Sequence, residues 1–295
     1  MDLPAPRYAG HAEICGSRLE RAAKLPYPGL WVAGSLAGLG AKTAAVVGSR
    51  APSDAGRAHA RALGEALARA GVCVVSGLAL GIDAAAHEGS LAGGGPTVGV
   101  LGGGHRHFFP ARNRGLAERI LAAGGAVLSP FAPDEPARPP QFLQRNGSVA
   151  ALADVVVVVE AAARSGALNT ASWAASFGVD VLAYPGDVDR PKAAGCNALI
   201  RDGAVLVRGP DDVLEALGLA PAAAGDARRA RAAALGAHAP LERAILARLA
   251  DGPLDVDRLI EAVGGDVPAV AAALVTLELA GAIRRAASSA TYALA

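Results

Sequence analysis

Residues Val155 to Val159 are five consecutive valines set between Asp154 and Glu160. Branching at Cβ stiffens χ1 and favours extended backbone. A strand with one wet face would alternate apolar and polar residues, and this run does not alternate. It therefore reads as a strand buried on both faces, the environment of a central strand in a parallel sheet covered by helices on either side. Parallel neighbours need crossover connections, so the rest of such a chain must alternate strands with helices.

It does. Ala44 to Val47 reads as a strand ended by Gly48-Ser49-Arg50, and Ser53 or Asp54 can cap a following helix that runs to about Ala70. Val72 to Val75, Thr97 to Leu101, Ala126 to Leu128, Val181 to Tyr184 and Ala204 to Val207 are further strands, with a helix starting near Asp83 and another carrying Leu116 and Ile120. The expected fold is α/β: an extended Rossmann-like, doubly wound, mostly parallel sheet over residues 42–218, with right-handed crossovers. Residues 1–41, with Pro26-Tyr27-Pro28, are expected to form an extended lead-in. Residues 219–240, rich in Ala, Arg and Gly, suit a linker. In 241–295, Leu241 to Leu249, Val256 to Val263 and Val267 to Leu279 read as helices, with Asp255 and Asp266 at cap positions and Pro268 in a first turn. Ile283-Arg284-Arg285 and Thr291-Tyr292-Ala293 suit a hairpin, completing the outline of a small winged helix.

Composition narrows the functional classes. With 52% hydrophobic and 19% charged residues, the chain can bury a full core. The formal charge is +1, so any polyanion must be met by locally placed arginines and not by a polycationic surface. Cys15, Cys73 and Cys196 form no CxxC pair, which points away from a disulfide framework or a zinc knuckle. Met1 to Gly10 lacks a basic stretch followed by an apolar one, and no apolar run is free enough of breakers to span a bilayer. A cytoplasmic protein is expected, with no metal, no cofactor and no membrane partner.

The usual catalytic signatures are missing. Lys42 follows Ala41, not the glycine of a Walker A loop; Gly102-Gly103-Gly104 runs into His105-Arg106-His107 without completing GxGxxG; no serine sits in a nucleophile elbow. His105 and His107 suit loop roles better than metal ligation. Asp83 and His87, one helical turn apart, read as a structural pair before an acid/base couple. What remains is a series of glycine-flanked small residues at strand ends: Gly48-Ser49-Arg50, Ser76-Gly77, Gly102 to Gly104 and Ser165-Gly166. In an open α/β sheet these loops share one rim, where ligands bind. Backbone N–H groups of Gly48 and Ser49, helix N-termini and the planar fork of Arg50 suit phosphate. Arg112 and Arg114 follow Phe108-Phe109-Pro110, and Arg145-Asn146 follow Phe142. Arginines interleaved with rings suit a single strand of nucleic acid, with phosphates on the arginines and bases on the rings. Solvated surface arginines and core phenylalanines would read the same.

At these residues the sequence resembles the DprA/Smf family of DNA-processing proteins. The resemblance runs in order through Val46-Val47-Gly48-Ser49-Arg50, Ser76-Gly77-Leu78-Ala79 with Gly81-Ile82-Asp83, Leu101-Gly102-Gly103-Gly104, Phe109-Pro110 with Asn113, Arg145-Asn146, Glu160-Ala161 with Ser165-Gly166-Ala167-Leu168, Pro185-Gly186 and Gly195-Cys196-Asn197. It covers the α/β region. It implies a non-enzymatic protein with no catalytic residue that binds single-stranded DNA, forms a homodimer through the Rossmann-like domain and loads RecA recombinase during natural transformation and homologous recombination. The residues expected against DNA are Gly48, Ser49, Arg50, Ser76, Gly77, Arg112, Arg114, Phe142, Arg145, Asn146, Ser165 and Gly166. Leu80, Leu143 and Gly147 depart from the family pattern, standing where a basic residue, proline and arginine are usual. The alternative is a nucleotide-processing enzyme of the LOG phosphoribohydrolase type. That family carries a PGGxGT segment followed by acidic residues, and Pro185-Gly186-Asp187 is the nearest approach to it here.

Overall fold

In the computed structural model, the structure describes residues 3–219, 240–250, 252, 254–264, 266–279, 282–285 and 291–294. The chain divides into two compact units, Met1–Ala222 and Ala223–Ala295. The first is built on a nine-stranded sheet of order β1-β2-β6-β5-β4-β3-β7-β8-β9. Its strands are β1 (Arg7–Gly10), β2 (Gly29–Gly34), β3 (Thr43–Val47), β4 (Cys73–Ser76), β5 (Thr97–Val100), β6 (Ala126–Ser129), β7 (Val155–Val158), β8 (Asp180–Ala183) and β9 (Val205–Leu206). Every pairing from β6 across to β9 is parallel.

The helices between them are α3 (Asp54–Arg69), α4 (Ile82–Ala92), α5 (Arg114–Ala122), α6 (Pro139–Ala151), α7 (Gly166–Phe177), α8 (Ala194–Arg201) and α9 (Pro210–Ala216), preceded by the short α1 (His11–Cys15) and α2 (Leu19–Ala22). The valine run behaves as its composition demands. Val155, Val157 and Val159 enter one core cluster with Leu63 and Leu67 of α3, while Val156 and Val158 enter another with Val149 of α6 and Ala171 of α7. Burying each valine contributes on the order of 1.5–3 kcal/mol relative to exposure. The chain winds from β3 to β6 in one direction and returns to place β7 on the other side of β3. The two strands at this reversal, β3 and β7, pair from Ala44↔Val155 to Val47↔Val158. A crevice at their carboxyl ends is therefore a property of the topology.

Residues 1–41 correct the expected extended lead-in. β1 pairs antiparallel with β2, and β2 with β6, so the segment extends the sheet by two strands. Tyr8 packs edge-on against Trp31 across that pair, with ring centroids 5.4 Å apart. Arg18 is buried and fastens the segment to the amino ends of β3 and β7. Its guanidinium donates to Asp154 Oδ1 at 2.9 Å and Oδ2 at 2.7 Å, and to the carbonyls of Leu39 and Ala41 at 2.8 Å each. The expected linker, 219–240, lies outside the described residues apart from its ends.

The second unit runs α10 (Pro240–Leu249), β10 (Leu254–Asp255), α11 (Val256–Val263), α12 (Val267–Leu279), β11 (Ile283–Arg285) and β12 (Thr291–Leu294), with sheet order β10-β12-β11. This is the winged-helix arrangement, around a core that includes Ile245, Leu259, Leu274 and Leu277. Asp255 caps α11 by accepting from Arg258 N at 2.8 Å, and Asp266 accepts from Ala269 N at 3.1 Å in the first turn of α12. Among the described residues no single helix is long and apolar enough to cross a membrane.

Candidate nucleic-acid interface

The crevice between the carboxyl ends of β3 and β7 is a cavity of about 420 Å³. Three segments wall it. The loop after β3 supplies Gly48, Ser49 and Arg50; the start of α7 supplies Ser165, Gly166 and Ala167; one face of α6 supplies Phe142, Arg145, Asn146 and Val149. The last four recur at the three- and four-residue spacings that share a helix face. Helix α6 is set by Pro139 and Pro140 in its first turn, with Gln141 Oε1 accepting from Arg138 N at 2.6 Å. Asn146 Nδ2 joins α6 to α7 by donating to Asn169 Oδ1 at 3.1 Å and to Gly166 O at 3.3 Å. Ser165 caps α7, accepting from Ala167 N at 3.3 Å, so the positive end of a 12-residue helix faces the cavity.

The two arginines of the site differ in kind. Arg50 is exposed, and among the described residues it has no carboxylate partner. Its Cζ lies 5.4 Å from the centroid of the Phe142 ring, a cation–π contact that orients the fork without neutralising it. Arg145 is 4% exposed and forms part of the cavity floor. Its Nη1 donates to the carbonyls of Gly77 and Val100, and its Nε is buried with no partner among the described residues. The guanidinium lies flat on Gly77, where a Cβ would stand 2.7 Å from it, so a side chain at 77 would dislodge Arg145. Burial pushes the Arg145 pKa down to about 10, against the pull of the Asp83 carboxylate, and the like charge of Arg50 adds to the lowering. Asp83 is raised by burial, opposed chiefly by Arg145, and accepts from Gly77 N at 3.0 Å and Ala79 N at 3.3 Å. Asn113 holds the same loop from outside, donating to Leu78 O at 2.9 Å and Ala79 O at 3.0 Å. That clamp is needed because Leu78 sits at φ 54°, a left-handed conformation unfavourable for a leucine.

Nine of the twelve sequence-predicted residues line the cavity; Ser76, Arg112 and Arg114 do not. Ser76 is fully buried, and its hydroxyl donates to Val46 O at 2.6 Å, holding β4 to β3. Arg112 and Arg114 lie at the start of α5, where the useful residue is Asn113 between them. Arg145, expected along the strand's path, lines the cavity from a buried position, held by two carbonyls and the nearby Asp83 carboxylate. The expected backbone cradle at Ser49 is also corrected. Its N–H donates to Glu160 O at 2.7 Å and its carbonyl accepts from Ile82 N at 3.1 Å, which leaves the hydroxyl and the Arg50 side chain to meet an anion. Glu160 itself is engaged across the ridge, accepting from Ser53 Oγ at 2.5 Å and from Ser53 N at 3.1 Å. Asp83 does not pair with His87, whose Nδ1 lies 2.7 Å from Thr97 Oγ1 in the core. The supporting residues Asp83 and Asn113 were missed as parts of the site; their one sequence signal was a polar residue beside each strand-end loop. Among the described residues no group of three or more His, Cys, Asp or Glu is placed to hold a metal ion.

The arrangement is a crevice that brings together an exposed arginine, a helix N-terminus and an aromatic rim. The sequence matches the family DNA recombination-mediator protein A over residues 11–218 and the DprA winged helix domain over 229–288. Protein Smf of Escherichia coli K12 is 41% identical over 263 residues, covering 86% of this chain and 69% of that protein. The putative DNA processing protein DprA of Mycobacterium tuberculosis H37Rv is 44% identical over 244 residues, 81% of this chain and 61% of that one. The chain thus spans 61–69% of the length of these two relatives. Among solved structures, DprA of Streptococcus pneumoniae is similar with a TM-score of 0.60 and 39% identity, over 64% of this chain and 66% of that one. DprA of Helicobacter pylori, in a study of its single-stranded DNA binding mode, gives a TM-score of 0.64 and 26% identity over 74% and 98%.

Proposed function

This chain belongs to the DprA/Smf family of DNA-processing proteins, and we propose that it holds single-stranded DNA in the crevice between β3 and β7. One observation carries the reading: Arg50, at the topological switch point, is exposed, braced by Phe142 and free of any described carboxylate partner. A cation kept unpaired at the rim where α/β sheets bind ligands calls for an anion from outside. The α7 N-terminus, the Ser49 and Ser165 hydroxyls and Asn146 lie around the same cavity and suit successive phosphates of one strand. Gly166, where an added Cβ would meet nothing within 4 Å, keeps one wall low, while Gly77 and Arg145 set its floor. No bond is made or broken in this role; the protein acts by holding and presenting the strand. Its place in the cell is then to pass single-stranded DNA to a RecA-type recombinase during transformation and recombination, as a cytoplasmic homodimer.

The duplex is disfavoured by shape. A crevice walled on three sides admits a single backbone more readily than the two backbones of a stiff helix. Fluorescence anisotropy with a labelled oligonucleotide, alone or annealed to its complement, tests this. Single-strand binding at least about tenfold tighter (~1.4 kcal/mol) is expected. Equal affinity, or a preference for duplex, would contradict the assignment.

A further inference from the structure

Beside the charged crevice lies a second, smaller space of about 90 Å³, lined by Leu80, Phe109, Pro110 and Phe142 together with Arg50 and Ala79. It is far smaller than the crevice of about 420 Å³ beside it. Its outer wall is nevertheless aromatic and open. Phe109 is 53% exposed, and its ring centroid lies 5.7 Å from that of Phe142, tilted by 58°. The two rings are not equivalent. Phe142 is backed by Gly102, where an added Cβ would meet a ring carbon at 2.5 Å, and Arg50 covers its ring from another side. Phe142 is therefore a half-buried brace, lining both the crevice and the smaller space. Phe109 is the ring left open to solvent, at the mouth of a site that draws in phosphates.

Building on the assignment of single-stranded DNA to the crevice, we propose that Phe109, and not Phe142, is the base-stacking residue of this protein. A strand whose phosphate meets Arg50 presents the adjacent base to the Leu80–Phe109 side of the crevice. The base lies on the exposed face of Phe109 with its hydrogen-bonding edge in water. Stacking of this kind accepts any base, because every base offers a π-face. The shallow slot behind the ring takes part of the base edge and no more, so it adds apolar contact without reading sequence.

The test separates bases from phosphates. An oligothymidine of about eight nucleotides and an abasic oligonucleotide of the same length carry the same phosphates, and only the first can stack. Wild-type protein should bind the oligothymidine about tenfold or more tighter than the abasic strand. Phe109→Ala should remove most of that difference while leaving abasic binding within about twofold of wild type. Phe109→Trp should restore the preference, and its added indole emission should be quenched by oligothymidine and not by the abasic strand. Arg50→Glu, in contrast, should weaken both ligands, so failure of the crevice assignment and failure of the Phe109 assignment give different patterns. The proposal is overturned if Phe109→Ala lowers both ligands equally, if it alters neither, or if Phe142→Leu with Phe109 intact abolishes the base preference at unchanged abasic affinity.

Discussion

The two ends of the β3–β7 pair each carry two arginines, and they are treated in opposite ways. At the amino end, Arg18 and Arg21 converge on one carboxylate. Asp154 accepts from both, Thr43 N adds a hydrogen bond at 2.9 Å, and Arg21 also donates to Ala153 O at 2.8 Å. That cluster is closed: the carboxylate and the carbonyls around it answer both guanidinium forks. At the carboxyl end, Arg145 is buried on carbonyls above Asp83, but among the described residues Arg50 is held by a ring alone. A closed cluster joins segments of the fold, and an open one waits for a ligand. On the proposed reading, the same residue type beside the same strands is structural where carboxylates or carbonyls answer its fork and DNA-binding where they do not.

Breaking the closed cluster should have the largest effect, and on stability alone. Asp154→Ala leaves the Arg18 guanidinium, with 6% side-chain exposure, facing only two carbonyls. A loss of about 3–5 kcal/mol in urea unfolding is expected, with single-strand affinity of the remaining folded protein within about twofold of the parent. A parallel loss of affinity would show that the two ends are not independent. Opening the contrast from the other side, Arg50→Glu should weaken single-strand binding at least about a hundredfold at moderate salt, with the melting temperature nearly unchanged. Arg50→Lys should be milder, since it keeps the charge and loses the fork. If both substitutions lower stability more than affinity, Arg50 belongs with the structural arginines.

His87 shows a third solution, in which no counter-charge is supplied and the group is kept neutral. Thr97 Oγ1 donates to Val74 O at 2.8 Å, so it accepts from the Nδ1–H of a neutral ring. Burial lowers the His87 pKa from 6.5 to about 3. Between those values the unfolded chain takes up a proton that the folded one refuses. Stability from this group is therefore complete above 6.5 and declines as pH falls toward 3, by about 1.4 kcal/mol per pH unit inside the window. In His87→Asn that part of the pH dependence should vanish, as urea midpoints at pH 7, 5 and 4 would report; parallel profiles for parent and variant would exclude His87 as its source. The smallest effect is expected at the winged-helix unit. Its third helix, α12, carries Glu278 and no lysine or arginine, with Val267, Val275 and Leu279 exposed. Deleting 241–295 should change single-strand affinity less than about tenfold (~1.4 kcal/mol). A greater loss with the α/β unit still folded would move part of the site into the second unit.

How far the sequence could be read follows the same division. The parallel sheet was legible because β-branched runs such as Val155 to Val159 are local signals of burial on both faces. The glycine-flanked strand ends marked the rim, and Arg50 beside one of them marked its open cation. β1 and β2 were not legible: their signals are short, flanked by Pro6, Pro26 and Pro28, and their pairing joins distant segments. The burial of Arg145 was not legible for a related reason. Nothing local to Phe142-Leu143-Gln144-Arg145 announces that carbonyls 68 and 45 residues away will take its charge inside. Ser76 was misread because a strand-terminal serine has the same local context whether it faces the rim or the core.

The claim that an open cation at the switch point meets a DNA phosphate is tested most directly by the salt dependence of single-strand binding, measured for the parent and for Arg50→Ala. With roughly three to five phosphates neutralised, log K for the parent should fall against log salt with a slope of about −2 to −3.5. Arg50→Ala should reduce the steepness by about 0.7, the contribution of one single-strand phosphate. A parent slope near zero, or a slope unchanged by Arg50→Ala, would contradict the account.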